Sequence, residues 1–212
     1  MEYLQITTTR TPINSRLERR QGRELAILLP GLNYPAEAPL FYYIGQLMHD
    51  CGVDTLSVDY SYNRDEAFKA ETDENQLDWL KADGRAIMGF AINLGEYDRI
   101  TIVGKSLGTI LMGWAIPEKL PNARLVWLTP SLRGTGLQAQ MIGRPNPSFC
   151  LIGTRDPSYT VALSDELTAS GATCAVVEGA DHGFSHLSGA AASAGLVQQG
   201  IEKLTDWMNA TA

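Results

Sequence analysis

The serine at position 106 lies in a segment whose residue types and spacing suit nucleophilic catalysis. The segment from Gly104 to Gly108 reads GKSLG, and it follows an apolar run and precedes an amphipathic run that ends at Trp114. A strand that turns directly into a helix would hold Ser106 at a strained corner, with its side chain above the sheet. The flanking glycines remove side chains where strand and helix nearly touch. The pattern therefore predicts a nucleophilic hydroxyl beside a helix N-terminus, which favours a developing negative charge.

A serine hydroxyl needs a general base, and the chain contains three histidines. His182 lies just beyond the last predicted strand, at the same carboxyl edge of the sheet as Ser106. His186 lies one helical turn further on and is the competing candidate, whereas His49 lies on a helix and is expected at the surface. We predict His182 as the base. No third ligand accompanies the H-x-x-x-H spacing of His182 and His186, so we expect no metal and no other cofactor.

The base needs a carboxylate that fixes its tautomer and stabilises the imidazolium. Asp156 follows a predicted strand in the turn GTRDP, which places it at the same edge as Ser106 and His182. It also precedes a helix, so a helix N-cap or a turn is the alternative role. Asp181 adjoins His182 in sequence, but neighbouring side chains rarely face each other in the required geometry. Asp59, at the end of another strand, is the reserve candidate.

Two backbone N–H groups are expected to bind the oxyanion of the tetrahedral intermediate. One belongs to Leu107, directly after the predicted nucleophile, and the other to Leu32, in the turn after the strand ELAILL. Asn33 and Tyr34 follow in the same turn and are predicted to contact substrate. Arg133, in a loop at this edge, could bind an acidic group of the substrate, although a solvated surface charge is the simpler role.

Alternating apolar segments indicate which elements carry these residues. The predicted strands are 2–10, 16–20, 24–29, 53–58, 99–103, 123–128, 148–152 and 173–177, and the predicted helices are 35–50, 75–94, 107–114, 137–142, 158–170 and 196–208. Pro117 is expected to end the third helix, and 188–195 reads as a flexible segment. The alternation predicts an α/β fold, with a mainly parallel sheet covered by helices on both faces. The first two strands have no helix between them, so they should form an antiparallel edge.

Length and composition restrict the remaining possibilities. The 212 residues suffice for one domain, and no repeat or second composition block divides them, so residues 1–212 are predicted to form a single domain. The net charge of −7 argues against binding to nucleic acid or anionic membranes. Three cysteines without metal spacing, together with an N-terminus that lacks a signal sequence, predict a cytoplasmic protein. The sequence does not indicate an oligomeric state.

The motifs GKSLG, GTRDP and GADHGF, in this order, resemble those of the α/β-hydrolases, and nearly the whole chain takes part in the resemblance. The likeness is greatest to the small dienelactone-hydrolase-like and carboxylesterase-like groups. It implies a Ser106, Asp156 and His182 triad in the family's order of nucleophile, acid and histidine. Dienelactone hydrolases use a cysteine nucleophile, so the serine at position 106 argues against that particular activity. The short segment between strands 123–128 and 148–152 leaves no room for a cap domain.

These features together predict a serine hydrolase that cleaves a small or exposed carboxylic ester through an acyl-enzyme. Without a cap, the substrate pocket should be shallow and formed by residues 33–35, 61–68 and 130–141. A thioesterase, a peptidase or an acyltransferase would use the same residues, so the sequence does not distinguish these leaving groups. A binding protein that keeps the hydrolase frame without catalysis is the other alternative.

Overall fold

The structure, a computed structural model, describes residues 1–116, 120 and 123–211. The strands are β1 (Glu2–Ile6), β2 (Ile13–Glu18), β3 (Glu24–Leu29), β4 (Asp54–Asp59), β5 (Arg99–Lys105), β6 (Arg124–Leu128), β7 (Ser148–Gly153) and β8 (Thr173–Val177). The helices are α1 (Pro39–Asp50), α2 (Glu66–Lys69), α3 (Asp73–Ile92), α4 (Leu107–Ala115), α5 (Leu137–Ile142), α6 (Val161–Ala169) and α7 (Ala190–Ala210).

The described strands form one eight-stranded sheet, in the order β1-β2-β4-β3-β5-β6-β7-β8. Strand β2 pairs antiparallel with both β1 and β4, and every pair from β4 to β8 is parallel. The prediction of a mainly parallel sheet with an antiparallel N-terminal edge is therefore confirmed. Because parallel strands end at one edge, the segments after β3, β5, β6, β7 and β8 all emerge together.

Helices cover both faces of this sheet, and each face has its own apolar core. One core joins the sheet to α3, α4, α5 and α6, and the other joins it to α1 and α7. The strands from β3 to β7 are almost entirely buried, which explains their continuous apolar sequences. Between β6 and β7 the chain holds only the six-residue α5, so no cap domain covers the strand ends there. No described helix is long and apolar enough to cross a membrane.

Several element boundaries differ from the sequence prediction, mostly at ends where local patterns are weak. Strand β2 begins at Ile13 rather than at residue 16, because the pairing with β1 and β4 extends it. Helix α1 begins at Pro39 rather than at residue 35. Helix α7 begins at Ala190, so most of the segment read as flexible is helical. The predicted helix end at Pro117 lies outside the described residues.

Two glycines of α3 provide a test of how closely this helix packs. A Cβ at Gly84 would lie 2.5 Å from the Leu111 carbonyl oxygen of α4, whereas a Cβ at exposed Gly89 would meet nothing within 4 Å. We expect Gly84→Ala to destabilise the protein by roughly 2–3 kcal/mol through overpacking. Gly89→Ala, the matched control, should stabilise it by about 0.5–1 kcal/mol through helix propensity. Urea unfolding measures both, and equal effects would contradict the close α3–α4 contact.

Candidate active site

Ser106 lies at the sharp corner between β5 and α4. Its φ of 49° and ψ of −117° place it in a backbone region that non-glycine residues rarely adopt. The N–H of Ser106 donates to the carbonyl oxygen of Leu128 at 3.0 Å, which ties the corner to the end of β6. A Cβ at Gly108 would lie 1.9 Å from the Leu29 carbonyl oxygen, so only glycine allows α4 to approach β3 this closely. The surroundings therefore hold the strained serine in place, with its side chain half-buried.

The hydroxyl of Ser106, the imidazole of His182 and the carboxylate of Asp156 form one hydrogen-bonded line. His182 Nε2 lies 2.9 Å from Ser106 Oγ, and His182 Nδ1 lies 2.7 Å from Asp156 Oδ2. Because an ionised carboxylate can only accept, Nδ1 carries the proton and Nε2 is left to accept the hydroxyl proton of Ser106. The structure thus brings together the three side chains that the sequence singled out.

Asp156 is held by its own turn before it contacts the histidine. Its side chain is 0% exposed, compared with 39% for His182. Asp156 Oδ1 accepts the N–H of Ser158 at 2.8 Å, and the Asp156 N–H donates to the Gly153 carbonyl oxygen. One carboxylate oxygen therefore caps the turn while the other contacts His182, so a single side chain makes both of the contacts considered for Asp156.

The other candidate acids and bases either make different hydrogen bonds or are exposed to solvent. Asp181 Oδ1 accepts the N–H groups of Gly183 and Ser185, which shapes the loop that carries His182. His186 Nδ1 accepts the N–H of Ser188, and its own N–H donates to a serine of α7. Asp59, the reserve acid, is exposed at the end of β4.

The expectation that His49 is a surface residue is wrong. Its side chain is only 9% exposed, and its Nε2 lies 3.0 Å from the hydroxyl of Thr55 on β4. Its Nδ1 lies 3.0 Å from a guanidinium nitrogen of Arg20. Burial, with a smaller contribution from the charge of Arg20, lowers the pKa of His49. Helix α1 turns this residue toward β4, a long-range contact that helical periodicity does not reveal.

The two predicted oxyanion donors flank the corner. Leu107 is the first residue of α4, where N–H groups have no partner within the helix. Gly31 and Tyr34 close a tight turn with two backbone hydrogen bonds, and Leu32 lies at its exposed tip. A Cβ at Gly31 would lie 3.3 Å from Ser106 Cβ, so this turn passes directly beside the serine.

A cleft of about 370 Å³ opens beside this turn, between the ends of β3 and β4. Asn33 and Tyr34 line it, as predicted, together with residues 61, 63 and 64. Asn33 Oδ1 accepts a hydrogen bond from the Asn63 side chain at 3.0 Å. Arg133 is not among the described residues that line the cleft, and neither is the rest of 130–141. The guanidinium of Arg133 instead donates to the Pro157 carbonyl oxygen at 2.9 Å, because its loop folds over the turn after β7.

Sequence reasoning missed two polar residues next to the serine. Ser131 Oγ lies 3.3 Å from Ser106 Oγ, and the Ser131 N–H donates to the hydroxyl of Thr109. Lys105 is 1% exposed, and its Nζ donates to the hydroxyl of Thr129 and to the carbonyl oxygen of His182, each at 2.7 Å. Lys105 is the last residue of β5, and Ser131 lies in the loop three residues beyond the end of β6, at the edge that carries Ser106. That position was the available signal, and a lysine at the end of a buried strand was a second one.

Among the described residues, no group of three or more histidine, cysteine, aspartate or glutamate side chains is arranged to hold a metal ion. The line from Ser106 to Asp156 passes through the imidazole of His182. The hydroxyl of Ser106 thus has a proton acceptor, His182, within hydrogen-bond distance. The buried carboxylate of Asp156 orients that acceptor. Such an arrangement can raise the nucleophilicity of a serine.

Comparison with known proteins identifies the fold. No protein-family model matches the sequence, and no curated protein matches it. Solved structures do: Est1E from Butyrivibrio proteoclasticus aligns over 98% of this chain and 99% of its own, with a TM-score of 0.72 and 14% identity. An alpha-beta serine hydrolase homologue from Coxiella burnetii aligns over 93% and 96%, with a TM-score of 0.68 and 16% identity. The Pyrococcus furiosus esterase Pf2001 aligns over 93% and 90%, with a TM-score of 0.65 and 15% identity.

Similarity at such low sequence identity shows that the folds agree. It does not show that the reactions agree, so the chemistry depends on this chain's own residues. The alignment with Est1E extends over almost the full length of both chains, so it includes the eight-stranded sheet and the helices on its two faces. The chain therefore has the fold of the α/β-hydrolase superfamily.

Proposed function

We propose that this protein is a serine hydrolase that cleaves a small or exposed carboxylic ester. The observation that carries the proposal is the hydrogen-bonded line from Ser106 through His182 to Asp156, with distances of 2.9 and 2.7 Å. The residues come from three different loops, and a contact of this kind among them has an evident chemical use and no evident structural need. The esterase Pf2001 among the similar structures adds support, as does a structure of Est1E with ferulic acid bound.

In the proposed acylation step, Ser106 Oγ attacks the carbonyl carbon of the ester while its proton moves to His182 Nε2. The buried carboxylate of Asp156 stabilises the imidazolium that forms, because the charges lie within hydrogen-bond distance. The N–H groups of Leu107 and Leu32 are proposed to bind the oxyanion. His182 then gives its proton to the leaving alkoxide, and the acyl group stays on Ser106.

Deacylation uses the same groups, with water as the nucleophile and Ser106 Oγ as the leaving group. His182 Nε2 accepts a proton from water, the resulting hydroxide attacks the acyl-enzyme, and Ser106 Oγ leaves as it regains the proton. The half-buried position of Ser106 and the partial exposure of His182 leave a path for this water.

The cleft favours a substrate with a polar part of modest size. It holds about 370 Å³, and its walls include the side chains of Asn33, Ser61, Asn63 and Arg64. Ser106, Leu107 and His182 are not among the described residues that line this cleft, which adjoins the serine only through the turn at Gly31. We therefore propose that it binds a part of the substrate remote from the scissile carbonyl. Since no cap covers the strand ends between β6 and β7, we propose small or exposed esters rather than long lipids as substrates.

A fluorophosphonate probe tests the proposal, because only an activated hydroxyl reacts with it. We expect covalent labelling at Ser106, located by peptide mass spectrometry, and its loss in Ser106→Ala. Hydrolysis of short-chain p-nitrophenyl esters should exceed that of matched acyl-thioesters and peptides. A wild type that is neither labelled nor active on any of these substrates would support the binding-protein alternative, whereas a preference for thioesters would identify a thioesterase.

A further inference from the structure

Lys105 is the most unusual buried group near the proposed active site. It ends β5, directly before Ser106, and its side chain is 1% exposed. Lysine is almost never fully buried unless its charge is paired, because removal of an ammonium group from water is costly. The contacts of the ammonium group must therefore offset the cost of its burial.

The partners of the ammonium group are two neutral oxygens and one aromatic ring. Nζ donates to the hydroxyl of Thr129, at the end of β6, and to the carbonyl oxygen of His182, each at 2.7 Å. It also lies 4.5 Å from the centroid of the Tyr34 ring, within the range of a cation–π interaction. These partners belong to three different loops. Lys105 thus joins the histidine loop, the loop after β6 and the turn at Gly31 to the corner that carries Ser106.

Each of these loops needs an external constraint. Thr129 has a φ of 41°, in the left-handed region that is unfavourable for a β-branched residue. Its N–H donates to Leu151, and its hydroxyl accepts from Lys105, so the surroundings define its conformation from both sides. Tyr34 closes the turn whose tip carries Leu32. A charged donor bound to the His182 carbonyl fixes the backbone of the proposed base itself.

We infer that Lys105 is a positioning residue, whose ammonium group holds the His182 backbone and the Gly31–Tyr34 turn in register with Ser106. The inference rests on the proposed function, because it assigns Lys105 a role in the same reaction. Lys105 makes no contact with the atoms that would react. It acts by fixing the distance between His182 and Ser106 and the position of the proposed oxyanion donor, the N–H of Leu32. A misplacement of about 1 Å in such a site costs roughly 100-fold in rate.

The charge of Lys105 provides a readout that a purely structural residue would lack. Burial lowers the pKa of Lys105 to about 8, and the nearby charges of Asp156 and Asp181 oppose this effect. The other titratable groups that face it are Tyr34 and His182. As pH rises through about 8, the ammonium loses its proton. The neutral amine makes weaker hydrogen bonds and no cation–π contact, so kcat should fall on the alkaline side.

Steady-state kinetics of Lys105→Met test this inference, with Lys203→Met on the exposed face of α7 as the matched control. We expect Lys105→Met to lower kcat by about 10- to 100-fold and to change KM by less than about threefold. The wild type and Lys203→Met should share a fall in kcat near pH 8, which should be absent in Lys105→Met. A kcat for Lys105→Met within twofold of the wild type, with the alkaline fall retained, would overturn the inference.

A loss of folding in Lys105→Met is recognised by circular dichroism, and the wild type and Tyr34→Leu then provide the test. Loss of the ring that stabilises the cation should move the alkaline fall of kcat to lower pH in Tyr34→Leu. A wild-type kcat that stays flat from pH 7 to 10 would overturn the role of Lys105 while the proposed hydrolase function stands. Failure of the fluorophosphonate to label the wild type would overturn the function, and the role of Lys105 with it.

Discussion

Replacement of Ser106 by alanine is expected to lower kcat for ester hydrolysis by at least about 10⁴-fold. The physical reason is that the hydroxyl is the group that would form the acyl-enzyme, and it lies 2.9 Å from the nitrogen that would take its proton. Without it, only the proposed oxyanion donors and the cleft remain to accelerate attack by water. Turnover of a p-nitrophenyl ester by purified protein measures the loss, with trace wild-type contamination checked by fluorophosphonate titration.

Ser131→Ala is the informative companion to Ser106→Ala, because the two hydroxyl oxygens lie only 3.3 Å apart. Ser131 lacks a contact with His182 among the described side chains, so its loss should cost no more than about tenfold, the value of one hydrogen bond. If Ser131→Ala abolished labelling while Ser106→Ala retained activity, the assignment of the nucleophile would be refuted. Thermal unfolding of both variants shows whether either loss reflects the fold.

Asp156→Asn is expected to lower kcat by about 10³- to 10⁴-fold, with little change in the shape of the site. Asp156 Oδ1 accepts the N–H of Ser158 at 2.8 Å, and Oδ2 faces His182 Nδ1 at 2.7 Å. In the variant, the amide oxygen should keep the bond to Ser158, since an NH₂ group cannot accept it. The NH₂ group must then donate to His182 Nδ1. This leaves the ring proton on Nε2, where it blocks transfer from Ser106.

The matched control for this variant is Asp165→Asn, on the exposed side of α6. It removes the same charge at a position without contact to the site, so kcat should stay within about twofold of the wild type. Steady-state kinetics at several pH values compare the two variants, and a crystal structure of Asp156→Asn would show the side-chain contacts. Retention of more than about a tenth of wild-type kcat would mean that Asp156 does not act through the tautomer of His182.

The sequence predicted the elements that carry the site more securely than their ends. The apolar run before GKSLG and the amphipathic run after it correspond to β5 and α4, since burial on both faces of a sheet leaves a continuous apolar pattern. The ends were less certain because a boundary depends on a few residues. Strand β2 begins at Ile13 through its pairing with β1 and β4, and α7 begins before its apolar stripe does.

The same limit applies to side chains whose partners are distant in sequence. The surroundings of His49 depend on Thr55 and Arg20, which reach it only when β4 and the segment after β2 pack beside α1. Arg133 lies in a loop that local patterns place at the edge of the sheet. Only the folded loop directs its guanidinium to Pro157 and away from the cleft.

Sequence alone predicted most of the strands and helices in their order along the chain, and it singled out Ser106, Asp156 and His182 as candidates, because each lies in a short motif at a strand end. The tertiary structure decided the distances between these side chains, the contact of His182 rather than His186 with Ser106, and the environment of Lys105. Distances and burial arise when segments far apart in the chain pack together. A local pattern can name a residue and the end of a strand, but it carries no information on what lies across the sheet edge.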